Sequence, residues 1–333
     1  MTTTPSGSRR LGQGDTPCPP VSQDFEVMVG RLNKLSVERH FDAYADIDWD
    51  DPAMALDPTD PRLELPGIDP LRHTDWYRAQ LPANRAVIGC YRWAACMKTG
   101  WHFENLLQRG LLRHAFELRN GAPEFRYLHH EIIEESQHTL MFQEFVNRSG
   151  LPVRGMPWVL RRLAEWFVVP LSRVFPTLFF LFVLGGEDPV DHLQRRVLSD
   201  ADMKPHPLVE RIMRIHTTEE ARHLSFARHY MHRTVPELGF FGRLHLAVIA
   251  PVVLGIMARL MLQPSGDLVR HFGIPADAVR SANGGPAGRQ LLKDSVSKTR
   301  KLFVELGLIT PLSKALWKAA GLWDDDNRKG LKK

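Results

Sequence analysis

Two tetrapeptides constrain the fold of this chain more than any other feature. They are Glu135-Ser136-Gln137-His138 and Glu220-Ala221-Arg222-His223, the only occurrences of Glu-x-x-His in the sequence. Residues three apart on a helix sit about 60° apart around its axis, so each tetrapeptide directs a carboxylate and an imidazole to one side. A single pair would mean little, because short patterns recur by chance. The upstream spacing changes that: Glu104 stands 31 residues before Glu135, and Glu187 stands 33 before Glu220. The midpoint of the first interval is Asn120-Gly121-Ala122-Pro123, and that of the second lies within residues 199–205; both stretches break helices. The spacing predicts two antiparallel helix pairs, each setting a lone glutamate level with a Glu-x-x-His on its partner.

Two such pairs make an all-α, ferritin-like four-helix bundle with additional helices packed around it. A Glu from two helices and a Glu-x-x-His from the other two point inward, the ligand set of di-iron carboxylate proteins. Four carboxylates and two imidazoles suit two divalent first-row metals. The flanks agree with buried faces: Trp101, Leu107 and Leu111 surround Glu104, and Leu128, Ile132 and Phe142 surround Glu135. Val209, Ile212, Met213, Ala227 and Tyr230 surround Glu220. Surface salt bridges that happen to match the spacing would leave these apolar stripes unexplained. His216 adds a seventh candidate, because His216, Glu220 and His223 form His-x-x-x-Glu-x-x-His on one helical face. The metal-ligand set is thus Glu104, Glu135, His138, Glu187, His216, Glu220 and His223.

The rest of the chain is consistent with one helical domain. Apolar residues make up 44% and charged residues 24% of the 333, which excludes a mostly disordered, collagen-like or coiled-coil chain. Three cysteines, without paired spacing, point to a reducing, cytoplasmic compartment and to no zinc site. The net charge of +5 is spread along the chain without a nucleic-acid motif, so it reads as an ordinary basic surface and no nucleic-acid partner is expected. Residues 1–20 are polar and without an apolar core, a disordered lead rather than a signal peptide. Residues 21–81, rich in Asp and Pro towards their end, are expected as an irregular wrapping segment, 82–325 as the helical domain, and 326–333 as a polar tail. Two apolar stretches, 166–187 and 244–262, approach membrane-spanning length but are interrupted by Pro, Arg or His, and read as buried helices. Membrane association is the alternative. The C-terminal helices, with Leu302, Leu306, Leu308 and Trp317, are expected to pack on the bundle or at a homodimer interface.

The seven residues resemble the AurF-type di-iron N-oxygenases, the p-aminobenzoate N-oxygenase family, which add a histidine one turn before the second Glu-x-x-His. The resemblance covers about residues 85–310. It implies two iron ions, O2 as co-substrate, an external electron donor, and oxygen transfer to the nitrogen of an arylamine. Two positions depart from the family. Glu134 and Glu219 stand where Asp often precedes each motif glutamate; a longer carboxylate either orients a ligand imidazole or sits in a salt bridge. Where the aminobenzoate enzyme of that family carries polar residues and an Arg before the first ligand, this chain has Cys96-Met97-Lys98-Thr99-Gly100, leaving Lys98 as the candidate for an anionic substrate. Two rival functions remain: C–H hydroxylation or desaturation of an apolar or acyl substrate, suggested by the apolar stretches, and iron binding without turnover. No flavin, nicotinamide or haem motif supplies electrons from within the chain.

Overall fold

A computed structural model describes residues 23–323. The expected lead (1–20) and polar tail (326–333) lie outside the described residues. Every regular element is helical, and no strand occurs among the described residues. In chain order the helices are α1 (Gln23–Glu38), α2 (Asp75–Arg78), α3 (Pro82–Phe116), α4 (Glu124–Ser149), α5 (Trp158–Leu163), α6 (Val169–Val174) and α7 (Pro176–Leu198). There follow α8 (Pro207–Thr234), α9 (Phe240–Leu262), α10 (Gly266–Phe272), α11 (Ala276–Gly284), α12 (Pro286–Ser295), α13 (Ser297–Glu305) and α14 (Pro311–Ala319).

The bundle is α3, α4, α7 and α8. The α3–α4 turn spans 117–123 and the α7–α8 turn spans 199–206, where the spacing of the glutamates places them. Helices α3, α7 and α8 each start on a proline, whose missing N–H is no loss in the first turn and whose fixed φ suits the helix. Close approach between α3 and α7 depends on two glycines. A Cβ at Gly110 would lie 2.2 Å from Phe179 Cε2, and one at Gly186 would lie 1.9 Å from Phe103 Cζ. The Phe103 ring therefore lies against the α7 backbone beside Glu187. Around the bundle, α1 packs on α4 and α8, while α9 packs on α7 and is itself covered by α12 and α14.

Residues 21–81 are not wholly irregular. Residues 23–38 form α1, because Phe25, Val29 and Leu32 recur at helical spacing and bury one stripe against the bundle. After it, Asp51, Asp60 and Asp69 each precede a proline and cap a short 3-10 turn, accepting from the backbone N–H of Ala53, Arg62 and Leu71. The apolar stretch 166–187 also divides. Most of residues 176–187 are buried in α7, but Trp166 and Phe167, in the π-helical turn Ala164–Val168, and Val174, at the end of α6, are 76%, 66% and 74% exposed. The stretch 244–262 lies in α9, which belongs to the one span long and apolar enough to cross a membrane among the described residues; 56% of its window is buried inside the fold. Leu302, Leu306, Leu308 and Trp317 are all buried within the chain.

Two kinds of glycine give opposite predictions. Gly30 lies in mid-α1 with open space where an added methyl would sit, so Gly30→Ala should stabilise the chain by about 0.5–1 kcal/mol. Gly110→Ala must displace Phe179, itself 1% exposed, and should destabilise by about 1–3 kcal/mol. Denaturant unfolding of both variants checks the sign.

Candidate metal centre

All seven sequence-predicted residues lie in the bundle interior, none more than 2% exposed. Glu104 comes from α3, Glu135 and His138 from α4, Glu187 from α7, and His216, Glu220 and His223 from α8. Their donor atoms fall into two groups, each within 4.8 Å: Glu104, His138, His216 and Glu220 in one, and Glu135 and His223 with Glu131 in the other. Glu187 belongs to neither tight group but lines the same small cavity as Glu104 and His216.

Each imidazole has one nitrogen held from behind and the other turned inward. His138 Nε2 lies 2.9 Å from Glu219 Oε2, and His223 Nε2 lies 2.8 Å from Glu134 Oε2. That leaves His138 Nδ1 facing Glu135 at 3.0 Å and Glu220 at 3.5 Å. His223 Nδ1 faces Glu135 at 2.9 Å and Glu220 at 3.0 Å. His216 is turned the other way: its Nδ1 pairs with Gln194 Oε1 at 3.0 Å, and its Nε2 faces Glu104 at 3.6 Å and Glu220 at 3.8 Å. A hydrogen-bonded partner on the far nitrogen fixes both ring orientation and tautomer.

The pairing crosses the bundle, since Glu134 of α4 holds the histidine of α8 and Glu219 of α8 holds that of α4. Glu134 and Glu219 are therefore interior groups rather than surface ones, 2% and 0% exposed. Arg222 sits between them, 2.9 Å from Glu134 and 3.5 Å from Glu219. Phe41, in the loop after α1, donates its backbone N–H to Glu219 Oε1 at 3.1 Å. Sequence reasoning misses Arg222, although it stands inside the second tetrapeptide, because an Arg on a helix carries no signal until its partners are placed. It also misses Glu131, 1% exposed and one turn before Glu135.

Electrostatics at the site follow from burial. Glu104 is pushed well above the ordinary carboxylate range by burial and then by the charge of Glu135; Glu187 is raised by burial and then by Glu220. Burial pushes Glu131 up to about 8. Burial opposes the charged form of His138, but hydrogen bonds to Glu135 and Glu219 outweigh it and carry the group up to about 10. His223 is also raised, burial being overcome by Glu220 and Glu135, whereas burial and the neighbouring His138 lower His216.

The donor set fits a pair of divalent metals. Glu104 Oε2 and Glu220 Oε2 are buried with no hydrogen-bond partner, and a buried carboxylate without a cation or donor is strongly unfavourable. Lys98 does not line the cavity. Its ammonium bonds to Gln143 Oε1 at 2.5 Å and lies 3.8 Å over the Trp101 ring.

Two measurements test the centre. His138, near 10, carries a proton at neutral pH that its Nδ1 must give up to bind a metal, so metal loading should release protons and affinity should rise with pH through about 7–9. A dye-based proton count during anaerobic Fe(II) addition reads this directly. Glu219→Ala frees His138 Nε2 and should weaken metal binding about 10–100-fold, read by Fe(II) titration.

The comparisons with known proteins agree with this geometry. The model of the family described as p-aminobenzoate N-oxygenase AurF matches residues 22–307. Proteins of Mycobacterium tuberculosis and Mycobacterium bovis, described only as uncharacterized, are 39% identical over 297 residues, which cover 89% of this chain and 86% of theirs. The family match spans the four bundle helices and α1 together. The chain therefore belongs to the p-aminobenzoate N-oxygenase (AurF) family and has its helical, ferritin-like di-iron fold.

Proposed function

We propose that this chain is a non-haem di-iron monooxygenase that transfers an oxygen atom to the nitrogen of an amine whose remainder is apolar, most simply an arylamine, towards hydroxylamine, nitroso or nitro products. The observation that carries this reading is the third imidazole: His216 directs its Nε2 at Glu104 and Glu220, completing the seven residues in which the chain resembles the family. In this reading Glu104, Glu135, His138, Glu187, His216, Glu220 and His223 hold two irons. When bound, the irons supply electrons and Lewis acidity to O2, and an external donor restores them.

The chain's own residues then set the environment. Trp93, Met97, Phe103, Phe142, Leu193 and Met213 wall the cavity beside Glu104 and His216 and keep water from it. No Lys or Arg lines this cavity, so it offers no fixed cation to hold a substrate carboxylate. Glu134 and Glu219 keep His138 and His223 in the tautomer that presents Nδ1.

A second reading, oxidation of a C–H bond in an apolar or acyl substrate, is favoured by one observation. Behind Phe103 lies a cavity of about 250 Å³ walled only by apolar residues, among them Leu106, Leu163, Phe167, Phe179 and Leu260. Phe103 lines both this cavity and the one at the metal centre. In either reading the substrate's distal part is apolar and Phe103 sets how far it reaches.

Arylamines and medium-chain fatty acids, offered in turn to the iron-loaded, reduced chain under isotopically labelled O2, separate the readings. Labelled oxygen on nitrogen supports the first and on carbon the second. Oxygen uptake without an oxidised product overturns both and leaves iron binding alone. Phe103→Ala should join the two cavities and raise kcat/KM for longer substrates relative to shorter ones roughly tenfold.

A further inference from the structure

The face formed by α5, the π-helical turn and α9 carries a concentration of exposed apolar side chains. Trp158, Leu163, Trp166 and Phe167 are exposed along the first two elements. On α9, Leu244, Val252 and Ile256 are exposed at spacings of eight and four residues, on one side of the helix. Apolar side chains scattered singly over a surface need no explanation, but a contiguous group marks a surface that something covers. The cavity of about 250 Å³ behind Phe103 makes this group contiguous: Leu160, Leu163 and Phe167 from one segment and Ile256 and Leu260 from α9 line it together. Four of these five are themselves exposed, so the cavity opens through this face.

Charge narrows what covers it. Beside the mouth lies a hollow of about 930 Å³ that shares Leu160, Ile256 and Leu260 with the cavity and is lined by Arg154, Arg161, Arg259 and Arg270. The one acid lining it, Asp267, is bonded to Arg270. Arg161 meets His102 Nε2, and Arg259 meets the carbonyls of Gly255 and Ala320, so neither charge is cancelled. Among the described residues no carboxylate forms an ion pair with Arg154, Arg161 or Arg259. Glu165, the one acid of residues 156–174, is held between Arg109 and Arg162. A second copy across a two-fold axis would bring the same arginines to the interface again. An anionic lipid surface meets both needs, with phosphates for the arginines and acyl chains for the apolar side chains, and Trp is enriched where those two layers meet.

We propose that this face docks the chain on the surface of an anionic lipid bilayer, with α5 and the π-helical turn among the headgroups and the cavity mouth towards the acyl chains. The chain lies on the membrane rather than spanning it, because the other side of α9 is buried against α7. An apolar compound dissolved in the bilayer then meets the cavity without crossing water. The inference goes beyond the oxygenase reading and does not depend on it.

Vesicle flotation of the full-length chain tests this without metal or turnover. The chain should float with vesicles of phosphatidylcholine containing phosphatidylglycerol, much less with phosphatidylcholine alone, and added salt should release it. Trp166→Ala combined with Phe167→Ala, both at exposed positions, should keep the parent's melting temperature and weaken partitioning at least about tenfold. Arg154→Gln should weaken binding to the anionic vesicles about fivefold. Tyr44→Ala, which removes an exposed ring from the loop after α1, should change neither. No flotation of the parent, equal flotation on neutral vesicles, unchanged flotation of the double variant, or the same loss from Tyr44→Ala overturns the proposal. A parent dimer that the double variant converts to monomer also overturns it and gives the face to a second copy. If the double variant melts lower than the parent, Arg154→Gln decides, and unchanged flotation of that variant overturns the proposal.

Discussion

A carboxylate sealed between apolar helices must find a cation, a proton or a donor, and in this chain that demand is met by crossing pairs. Glu134 reaches from α4 to His223 on α8, and Glu219 reaches back from α8 to His138 on α4. Arg222 lies between the two acids and compensates both. Break either cross-link and an imidazole loses its orientation while an acid loses its partner. The pairs therefore cross-link α4 to α8, beside the ring contact of Tyr127 with Phe226. The glutamate side chains are long enough to close the pairs at 2.8 Å on His223 and 2.9 Å on His138.

The same demand reaches outward towards the start of the chain. Helix α1 buries only a thin apolar stripe, Phe25, Val29 and Leu32, yet the loop that follows it delivers the Phe41 N–H to Glu219 and the Ala43 N–H to Gln137. A segment that looks like wrapping thus closes one face of the candidate metal centre and satisfies an oxygen that water would otherwise have to reach. On the opposite side the small residues of α3 and α7 have a related role. Gly186 lets Phe103 lie against the helix backbone next to Glu187, which puts an aromatic wall where any side chain at 186 would have forced an opening.

The bundle is legible in the sequence because it rests on intervals, and intervals survive without coordinates. The 31- and 33-residue separations place the turns that α3–α4 and α7–α8 adopt. His216 is legible for the same reason, since it sits one turn from a motif. Glu131 is equally close to a motif, but glutamate on a helix is ordinarily solvated, and only burial with two unpaired oxygens distinguishes it. Arg222 is hidden likewise. Lys98 misleads in the reverse direction: its place near Glu104 suggests a substrate contact, but Trp101 and Gln143 hold its ammonium outside the cavity. The helical form of α1 is hard to see because Val27 and Val37, both exposed, blur the period set by the buried Phe25, Val29 and Leu32. Exposure of Trp166 and Phe167 is equally hidden, because hydropathy cannot tell a π-turn on the surface from a buried helix.

A centre built from two nearly equivalent helix pairs would, by symmetry, treat its two sides alike. This chain departs from equivalence in two places that act in the same direction. His216 draws its group towards Glu104 and the cavity, while His223 and Glu131 lie towards Tyr127, whose fully buried hydroxyl has no hydrogen-bond partner. A small cavity lies beside His216 and Glu104, whereas His223 and Glu131 lie towards an aromatic pair, Tyr127 and Phe226, whose ring centres are 4.6 Å apart. That asymmetry is set by which residue stands one turn before each motif glutamate, a single position on each of two helices.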